Sequence, residues 1–528
     1  MRRNQLTIIF LLCLAAVSCR KDSIEVVTTA ANRVTLVASS VTLSPNGSAG
    51  ILFRASGLPE TIDVSLRLRD GSEPQFFHVT GVEKKGDSGA YEVTVTDGGV
   101  FPAYSMEACI IVCDGSGVQC STTSDYICVN CGASDFQPAV STGLPVIYID
   151  TEGHRAIESK SIELPATLKI RGDGGYADMP PGSCNVRGRG NASWKWDKKP
   201  LKVTFRDRVP MLGMPEADSW ILLANFIDRT LMRNIVAMKV SSLSSLSWTP
   251  RCVPVELVLN GRHEGNYLLI EQVEVDENRL DVSCSDGFLL ETDFHYDNDV
   301  QWLDPHGVGF LLLGTPFAVR YPQPGLLDED KESYIKDYVT QTANAIYSKD
   351  FKDPQTGYGK WIDTGSFIDY WIVNEVLGNL DIASPGSIFL HKDAGGKLTA
   401  GPCWDFDWCL TDYATTVQEW TGTVVKDVFW YSRLFKDPEF TRRAAQRFDE
   451  LLPDLQGIAD YIDGCGTQLA ASAELNFALW NPADDRWKNK GLLVNGDEEL
   501  SFSEAVTLLR QVYLRRLDLI KQYFLKNE

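Results

Sequence analysis

The sequence predicts two folded regions of different class, an N-terminal all-β sandwich and a larger α+β domain whose C-terminal half is helical. Short β-rich runs separated by turn residues fill residues 24–137, and further strands open the region that follows. After about residue 330, apolar residues recur at helical spacing. With 528 residues, 44% of them apolar, the chain can bury at least one large core, which excludes disorder as its main state.

The charge balance excludes one class of partner. The chain has 50 Lys and Arg residues against 71 Asp and Glu residues, a net charge of −21. Such a field repels phosphate backbones and anionic lipid headgroups. We therefore predict that the protein binds no nucleic acid.

The N-terminus predicts export. A basic start, Met1–Arg3, precedes the apolar run Leu6–Val17, which is too short to span a bilayer, so residues 1–18 are a predicted signal peptide. The run ends Ala16-Val17-Ser18-Cys19, which resembles a bacterial lipobox. We predict a lipid on Cys19 as the only membrane attachment, in the cell envelope on the periplasmic or surface face of the outer membrane. Secretion without a lipid is the alternative.

Residues 19–140 form the predicted β-sandwich. Its runs and turns suggest an immunoglobulin-like spacer, with strands near 34–37, 51–53, 62–68, 91–96 and 109–113. Five cysteines lie close together in this region: Cys109, Cys113, Cys120, Cys128 and Cys131. In an exported domain this density predicts at least one disulfide. Zinc is disfavoured because only Cys128 and Cys131 have knuckle spacing.

The second domain is predicted to span residues 141–528. It opens with strands at 145–150, 166–172, 185–190 and 201–205, and a helix is predicted from Leu231 to Leu246 with Asp228 or Thr230 as its N-cap. A turn at 261–265 predicts a hairpin between strands 255–260 and 266–271. Further helices are predicted at 332–348, 365–378, 438–452 and 504–526.

The segment 401–408 is the sharpest local feature. On an extended segment, the side chains of Asp405 and Asp407 share a face about 6.6 Å apart. Two carboxylates on one face suit a hard cation such as Mg²⁺, which completes its shell with phosphates and water. A turn cap or an ion pair with Arg would explain either residue alone.

The order of the surrounding segments is informative. The predicted helix that includes Asn374 runs into a loop with Asp381, and a strand pair at 387–392 and 397–400 separates this loop from Asp405. A loop Asp, a hairpin and a D-F-x segment follow one another in the same order in protein kinases, as the catalytic loop and the metal-binding Asp.

A Gly-rich turn at 187–194 lies upstream, followed by lysines at 198, 199 and 202. Backbone amides of such a turn can approach phosphates, and a Lys on the next strand can reach the same oxygens. The predicted helix 231–246 contains no Glu, so the Lys–Glu ion pair of ordinary protein kinases cannot form there. Glu256 or Glu271 would have to substitute, which excludes the conventional kinase family.

Seven ordered blocks together resemble the spore-coat protein H (CotH) kinase family of atypical, secreted protein kinases, here as a bacterial lipoprotein member. The blocks are R-G-N-A-S-W at 189–194, K-K-P-L-K at 198–202, W-I-L-L-A-N-F-I-D-R-T-L-M-R-N at 220–234, V-E-L-V-L-N-G at 255–261, Y-L-L-I-E-Q-V at 267–273, N-E-V-L-G-N-L-D at 374–381 and G-P-C-W-D-F-D-W at 401–408. They cover roughly residues 145–450 and leave the N-terminal region outside.

The resemblance implies a kinase-like fold that transfers the γ-phosphate of ATP to Ser or Thr of a partner protein, with Mg²⁺. It implies that Asp381 is the catalytic Asp and that Asp405 binds the metal, with Asp407 and Ser387 as further candidates. The candidate nucleotide-binding residues are Arg189, Asn191, Ser193, Lys199, Lys202, Glu271 and Gln272. Where the family often has an Asn that helps to hold the metal, this chain has Ser384 or Ser387.

Two other functions are compatible with the same residues. The first is a catalytically silent, kinase-like surface lipoprotein that acts in binding or assembly, which the missing Asn favours. The second is a glycan hydrolase, in which Trp404 and Trp408 stack on sugar and the carboxylates act as acid and base. The presence of Asp381, Asp405 and Asp407 favours the active phosphotransferase.

Overall fold

A computed structural model describes residues 34–527, except for 44–46, 69–71, 75, 87–88, 99–103, 124, 132–139, 284, 293–299, 307–313, 384–385, 413–418, 420–421, 481–496 and 498. The chain divides into two compact units, residues 1–132 and 133–528. The predicted domain boundary near residue 140 follows shortly after this division. The predicted signal peptide, Cys19 and Ser384 lie outside the described residues.

The first unit is built from strands in two sheets. The strands are β1 (Val34–Leu36), β2 (Ser40–Leu43), β3 (Ser48–Ala55), β4 (Ile62–Leu68), β5 (Phe77–Lys85), β6 (Ala90–Asp97), β7 (Tyr104–Asp114), β8 (Gln119–Thr122) and β9 (Ile127–Cys131). One sheet has the order β1-β3-β6-β5, and the other has the order β2-β9-β7-β4 with β8 paired to β7. Side chains of both sheets meet in one core, for example Phe53 and Val93 from the first and Val112 and Val129 from the second. The prediction of an all-β N-terminal region is therefore confirmed.

Within the described residues the structure does not show the predicted disulfide, and Cys109, Cys113 and Cys120 are free thiols. The strand register explains this. Across the β7–β9 pair, Cys128 lies opposite Glu107 and Cys131 lies opposite Tyr104, so neither faces a cysteine. Cys128 instead donates a hydrogen bond to the Asn130 side chain at 3.2 Å.

The second unit begins with a closed seven-stranded barrel. Its strands are β10 (Val146–Thr151), β11 (Leu164–Arg171), β12 (Met179–Gly188), β13 (Leu201–Met211), β14 (Met214–Leu223), β15 (Cys252–Leu259) and β16 (Arg262–Glu271). They follow the order β10-β11-β12-β13-β14-β16-β15, and β10 closes the barrel by pairing in parallel with β15. The predicted hairpin is confirmed as β15–β16, with a tighter turn than expected because Asn260 and Gly261 both adopt left-handed conformations.

Alternation along the strands gives the barrel two different faces. Leu201 and Val203 point into the barrel core, whereas Lys202 between them points outward. On β14 and β16, outward residues such as Ile221 and Ile270 are also buried, because they pack into the large core that the helices share. The barrel is thus held against the helical part along one side.

A second sheet of five strands follows the barrel. It contains β17 (Phe288–Thr292), β18 (Gln301–Asp304), β19 (Thr315–Tyr321), β20 (Ile388–Lys392) and β21 (Leu398–Ala400), in the order β18-β19-β17-β20-β21. The last two strands form the predicted hairpin, whose turn contains Gly395 at φ 64°. This hairpin leads directly into the acidic segment 401–408.

The helices are α1 (Arg233–Ser241), α2 (Glu329–Tyr347), α3 (Thr364–Leu377), α4 (Tyr431–Leu434), α5 (Pro438–Leu479) and α6 (Phe502–Asn527). The prediction of a helical C-terminal half is confirmed, although α5 continues through Pro453 instead of stopping before it. Helix α1 starts later than predicted because Leu231 is left-handed, with φ 57°. None of the helices in the described part of the chain has the length and apolar character that a bilayer-spanning segment needs.

Candidate active site

Helix α3 leads into the loop that contains Asp381. The helix ends at Gly378 in a left-handed conformation, φ 56°, which turns the chain sharply. Asn379 then donates from Nδ2 to Asn374 Oδ1 at 3.0 Å and accepts the backbone N–H of Asp381 at 3.1 Å. These side-chain bonds fix Asp381 at the start of a 3₁₀ turn.

The second acidic loop, 401–410, follows β21. Its residue Asp405 has a left-handed backbone, φ 65°, a conformation that is uncommon outside glycine and turns the carboxylate away from a regular strand path. Ser387 donates from Oγ to Asp405 Oδ2 at 3.1 Å. The candidate metal ligands Ser387 and Asp405 therefore do lie together.

Backbone hydrogen bonds join the two loops. Leu380 donates to the carbonyl of Trp408 at 3.3 Å, and Leu410 donates to the carbonyl of Leu377 at 2.8 Å. The residues that follow α3 are thus paired with the end of the loop 401–410. This pairing brings Asp381 near Asp405 and Asp407, and we call these three carboxylates the acidic site.

The three carboxyl groups are partly exposed, but protein surrounds them and their charges act on one another. Burial raises the pKa of Asp381 well above its usual range, and the charges of Asp405 and Asp407 raise it further. Burial and the charge of Asp405 raise the pKa of Asp407 to about 7, against a hydrogen bond from Asn234. Burial also raises the pKa of Asp405. Such a site favours a bound cation, because a cation relieves the mutual repulsion.

Arg189 is the basic residue whose charge acts on this site. Its guanidinium lies 5.6 Å from the centre of the Trp404 ring, next to Asp405 in sequence. Burial lowers the pKa of Arg189, whereas the charges of Asp405, Asp407 and Glu291 oppose that shift. Arg189 comes from the turn after β12, so the barrel contributes a cation to the acidic site.

Two residues at the start of α1 contact the second acidic loop, and the sequence analysis did not single them out. Asn234 donates from Nδ2 to Asp407 Oδ1 and accepts the backbone N–H of Phe406 at 3.1 Å. Arg233 donates from Nε to the carbonyl of Cys409 at 2.9 Å. The only sequence signal was their position at the end of the block 220–234.

Residues within the Gly-rich turn 187–194 pack closely against one another. A side chain at Gly188 would collide with the Trp194 ring, and one at Gly190, φ +85°, would lie 2.2 Å from Ser193 Oγ. Asn191 is exposed and accepts a hydrogen bond from Lys160 Nζ at 3.2 Å. Glycine is therefore required in this turn by close packing within it.

The contacts of the candidate phosphate-binding lysines are with residues other than the three carboxylates of the acidic site. Lys199 donates from Nζ to the carbonyl of Trp194 at 2.9 Å. Burial and neighbouring Arg187 lower the pKa of Lys202, and the carboxylates that act on it are Glu274, Glu163 and Asp218. None of these three belongs to the acidic site.

Glu256 and Glu271 form their direct contacts with residues outside the 198–202 segment, which corrects the expectation that one of them forms an ion pair with a lysine there, although the charge of Glu256 acts on Lys198. Glu271 is fully buried and forms an ion pair with Arg251 at 2.8 Å. Glu256 is fully buried between His263 Nε2, at 2.7 Å, and Thr142 Oγ1, at 3.0 Å. The strand register separates both residues from β13.

Gln272 differs from its neighbour Glu271. Its side-chain oxygen Oε1 is buried and has no hydrogen-bond partner within the described structure. The next residue, Val273, belongs to an apolar group with Trp248, Leu289, Phe389 and Trp404. An unpaired buried acceptor beside an apolar surface is unfavourable unless a ligand supplies a donor. The amino group and flat ring of adenine would fit both features.

The acidic site does not complete a metal shell by itself. Among the described residues, no three His, Cys, Asp or Glu side chains are close enough to hold a metal ion unaided. Mg²⁺ does not need such a cage, because it usually binds one or two carboxylates and takes its other ligands from water and substrate phosphates. Asp405 and Asp407 provide that number of carboxylates, so the residues present fit Mg²⁺ bound together with ATP.

Comparison with known protein families places the chain in one of them. No curated protein sequence is similar enough to the chain to count as a relative. The family model described as "CotH kinase protein" matches residues 186–520, from the end of β12 into α6. The match spans more than half of the chain and includes Arg189, α1 and both acidic loops. The chain therefore belongs to the CotH kinase protein family.

Proposed function

We propose that this protein is an atypical protein kinase that transfers the γ-phosphate of ATP to a Ser or Thr hydroxyl of a partner protein. The observation that carries the proposal is the approach of Asp381 to Asp405 and Asp407 in a chain of the CotH kinase family. One loop supplies a carboxylate for the attacking hydroxyl, and the other supplies carboxylates for a cation. A kinase-like fold for residues 141–528 is part of the proposal.

Asp405 and Asp407 are the residues that would hold Mg²⁺, with Ser387 supporting Asp405. When bound, Mg²⁺ neutralises the phosphate charge that develops during transfer. Arg189 adds a second positive charge from the barrel side. Its contact with the Trp404 ring holds the guanidinium beside the second acidic loop, where it would attract the phosphates of a bound nucleotide.

Asp381 has the role of orienting the attacking hydroxyl and accepting its proton. The hydroxyl oxygen forms a bond to the γ-phosphorus while the bond from that phosphorus to the β,γ-bridging oxygen breaks. ADP leaves with the electron pair of that bond, and the hydroxyl proton passes to the Asp381 carboxylate. A carboxylate in charge-dense surroundings is a better proton acceptor than one in water, which suits this role.

The nucleotide base would lie beside Gln272. In that position Oε1 would accept a hydrogen bond from the adenine amino group, and the apolar group around Val273 would pack against the ring. The carboxylate of Glu271 would not contact the nucleotide, because it forms an ion pair with Arg251.

The cellular setting is also a proposal. Cleavage before Cys19 and lipidation of its thiol would anchor the protein in the cell envelope, with the immunoglobulin-like N-terminal unit as a spacer. Fractionation of Cys19→Ser against the wild type tests this anchor. Equal membrane association of the two proteins would contradict it.

The function is tested by two measurements on the purified protein without its signal peptide. Calorimetric titration with a non-hydrolysable ATP analogue, with and without Mg²⁺, should give Mg²⁺-dependent binding. Labelled ATP should transfer phosphate to the chain itself or to a Ser-rich protein. Binding without transfer would favour the silent scaffold, and hydrolysis of glycans without any nucleotide binding would favour the glycosidase.

A further inference from the structure

We propose that Asn234 is a positioning residue that sets the affinity of the acidic site for its metal ion. The inference rests on the proposed function, because it concerns how Asp407 is held for Mg²⁺. It assigns to the start of helix α1 a direct connection to the metal-binding loop. Asn234 is not among the site residues that the family resemblance implied.

The side chain of Asn234 is buried, with 4% of its surface exposed, and uses both ends of its amide group on one loop. Nδ2 donates to Asp407 Oδ1, and Oδ1 accepts the backbone N–H of Phe406. A two-point contact of this kind fixes the position and the rotation of the Asp407 carboxylate.

Arg233, the preceding residue, makes the start of α1 a rigid support. Its guanidinium forms ion pairs with Asp228 and with Asp497, the latter at 2.8 Å, and it donates to the carbonyl of Cys409 at 2.9 Å. Asp228 also accepts the backbone N–H of Arg233, the first residue of the helix, at 2.8 Å. The loop around Asp407 is therefore attached to α1 at three positions, 406, 407 and 409.

This connection differs from the one in ordinary protein kinases, where a helix Glu pairs with a strand Lys. Helix α1 contains no acidic residue, and the carboxylates that act on Lys202 are on other segments. Helix α1 instead contacts the loop around Asp407 directly, through the side chains of Asn234 and Arg233. Residues that orient metal ligands from behind typically change metal affinity by about 10–100-fold when they are removed.

The test is the Mg²⁺ concentration that half-saturates binding of a non-hydrolysable ATP analogue, measured by calorimetry for the wild type and Asn234→Ala. We expect the variant to need at least about tenfold more Mg²⁺. Asn476→Ala is the matched control, because Asn476 is also a buried amide with two bonds, to Lys198 Nζ and to the backbone N–H of Asn266. It should lower the melting temperature and leave the Mg²⁺ requirement at the wild-type value.

A double-mutant cycle tests whether Asn234 acts through Asp407. In an Asp407→Ala background, Asn234→Ala should change the Mg²⁺ requirement by less than about twofold, because its target carboxylate is gone. If Asn234→Ala lacks the wild-type circular dichroism spectrum, Asn234→Ser takes its place in both backgrounds, since its side chain is too short to make both bonds.

The outcomes separate this inference from the proposed function. A wild-type protein that binds no nucleotide with Mg²⁺ would overturn the proposed function and this inference with it. A wild type that binds, with an unchanged Mg²⁺ requirement in a folded Asn234 variant, would overturn the positioning role alone. If Asn234→Ala raised the Mg²⁺ requirement equally in the wild-type and Asp407→Ala backgrounds, Asn234 would act on the site by a route other than Asp407.

Discussion

The three carboxylates of the acidic site have different neighbouring side chains. These neighbours suit each carboxylate to a different role. Asp405 accepts a hydrogen bond from Ser387, and Asp407 accepts one from Asn234, so each is held by a side chain that favours its charged form. For Asp381, all three main influences raise the pKa. The first two carboxylates are therefore suited to a bound cation, and Asp381 is suited to receiving a proton.

This difference predicts opposite defects in two isosteric variants. Asp405→Asn should weaken Mg²⁺-dependent ATP binding, because the cation loses an anionic ligand. Asp381→Asn should keep nucleotide binding while phosphate transfer falls by at least about 100-fold, the usual range for loss of a general base. Calorimetry with an ATP analogue and transfer of labelled phosphate measure the two effects. Equal loss of binding in both variants would contradict the division of roles.

Lys198 illustrates a residue that matters for stability. It is 1% exposed, and its Nζ donates to Asn476 Oδ1 at 2.8 Å and to the carbonyl of Asn266. Burial lowers its pKa from 10.5 to about 7, against the charges of Glu256 and Glu264. The unfolded chain therefore binds more protons than the folded chain between these pH values, so the contribution of Lys198 to stability increases as pH rises through that window.

We predict that the free energy of unfolding of the wild type, relative to Lys198→Met, increases from pH 7 to pH 10 by a few kcal/mol, with about 5 kcal/mol as the limit set by the shift. Below about pH 6 the difference should be constant, because Lys198 is charged in both states. Urea unfolding of both proteins across this pH range measures it. Parallel pH profiles would show that Lys198 is not buried as described.

At the scale of elements, α3 and α6 hold the segment that follows the acidic loop. Glu375 on α3 and Arg516 on α6 are both fully buried and form an ion pair at 3.2 Å. Glu375 also accepts the backbone N–H groups of Val424 and Val425, each at 2.7 Å. One carboxylate thus connects two helices and a loop.

We predict that Arg516→Met lowers the free energy of unfolding by about 3–5 kcal/mol, because it leaves the Glu375 carboxylate buried without its cation. Adding Glu375→Gln should cost less in this background than it does alone, by about 1 kcal/mol or more. The helix-surface pair Glu332–Lys336, whose side chains are 34% and 33% exposed, is the control, and Lys336→Ala should cost less than about 1 kcal/mol. Additive effects at residues 375 and 516 in urea unfolding would argue against a coupled pair.

Elements were predictable from sequence where their signals are local. Strand 62–68 coincides with β4, and helix 365–378 lies within one residue of α3, because alternation or helical spacing ends at clear turn residues. The barrel was not predictable, since its closure depends on the pairing of Val146 with Glu256 and no local pattern reports a pair so distant in sequence. The true start of α1 also depends on a left-handed residue, Leu231, that propensity does not favour.

At the scale of the whole molecule, the acidic site depends on segments far apart in the chain. Sequence motifs identified Asp381, Asp405 and Asp407 because each lies in a distinctive local block. They did not identify Asn234, whose partner lies on a loop more than 170 residues later. They also assigned Lys202 to phosphate binding, although the carboxylates that act on it lie outside the acidic site. Contacts between residues far apart in the chain could not be predicted, because sequence patterns report only local neighbours.

The two units have separate cores, and this predicts how the protein unfolds. The core of the first unit is made of residues between Val34 and Cys131, and the large core of the second unit is made of residues between Leu144 and Phe524. Neither core contains a residue of the other unit. Each unit thus has its own source of cooperative stability.

We therefore predict two thermal unfolding transitions for the chain without its predicted signal peptide, and that an Mg²⁺-bound ATP analogue raises the melting temperature of only one. Ligand binding stabilises the unit whose native state binds it, and both acidic loops, Arg189 and Gln272 belong to residues 133–528. Differential scanning calorimetry with and without Mg²⁺ and the analogue measures both transitions. A fragment of residues 140–528 should reproduce the shifted transition and lack the other. A single transition, or a shift of both, would mean that the units do not unfold independently.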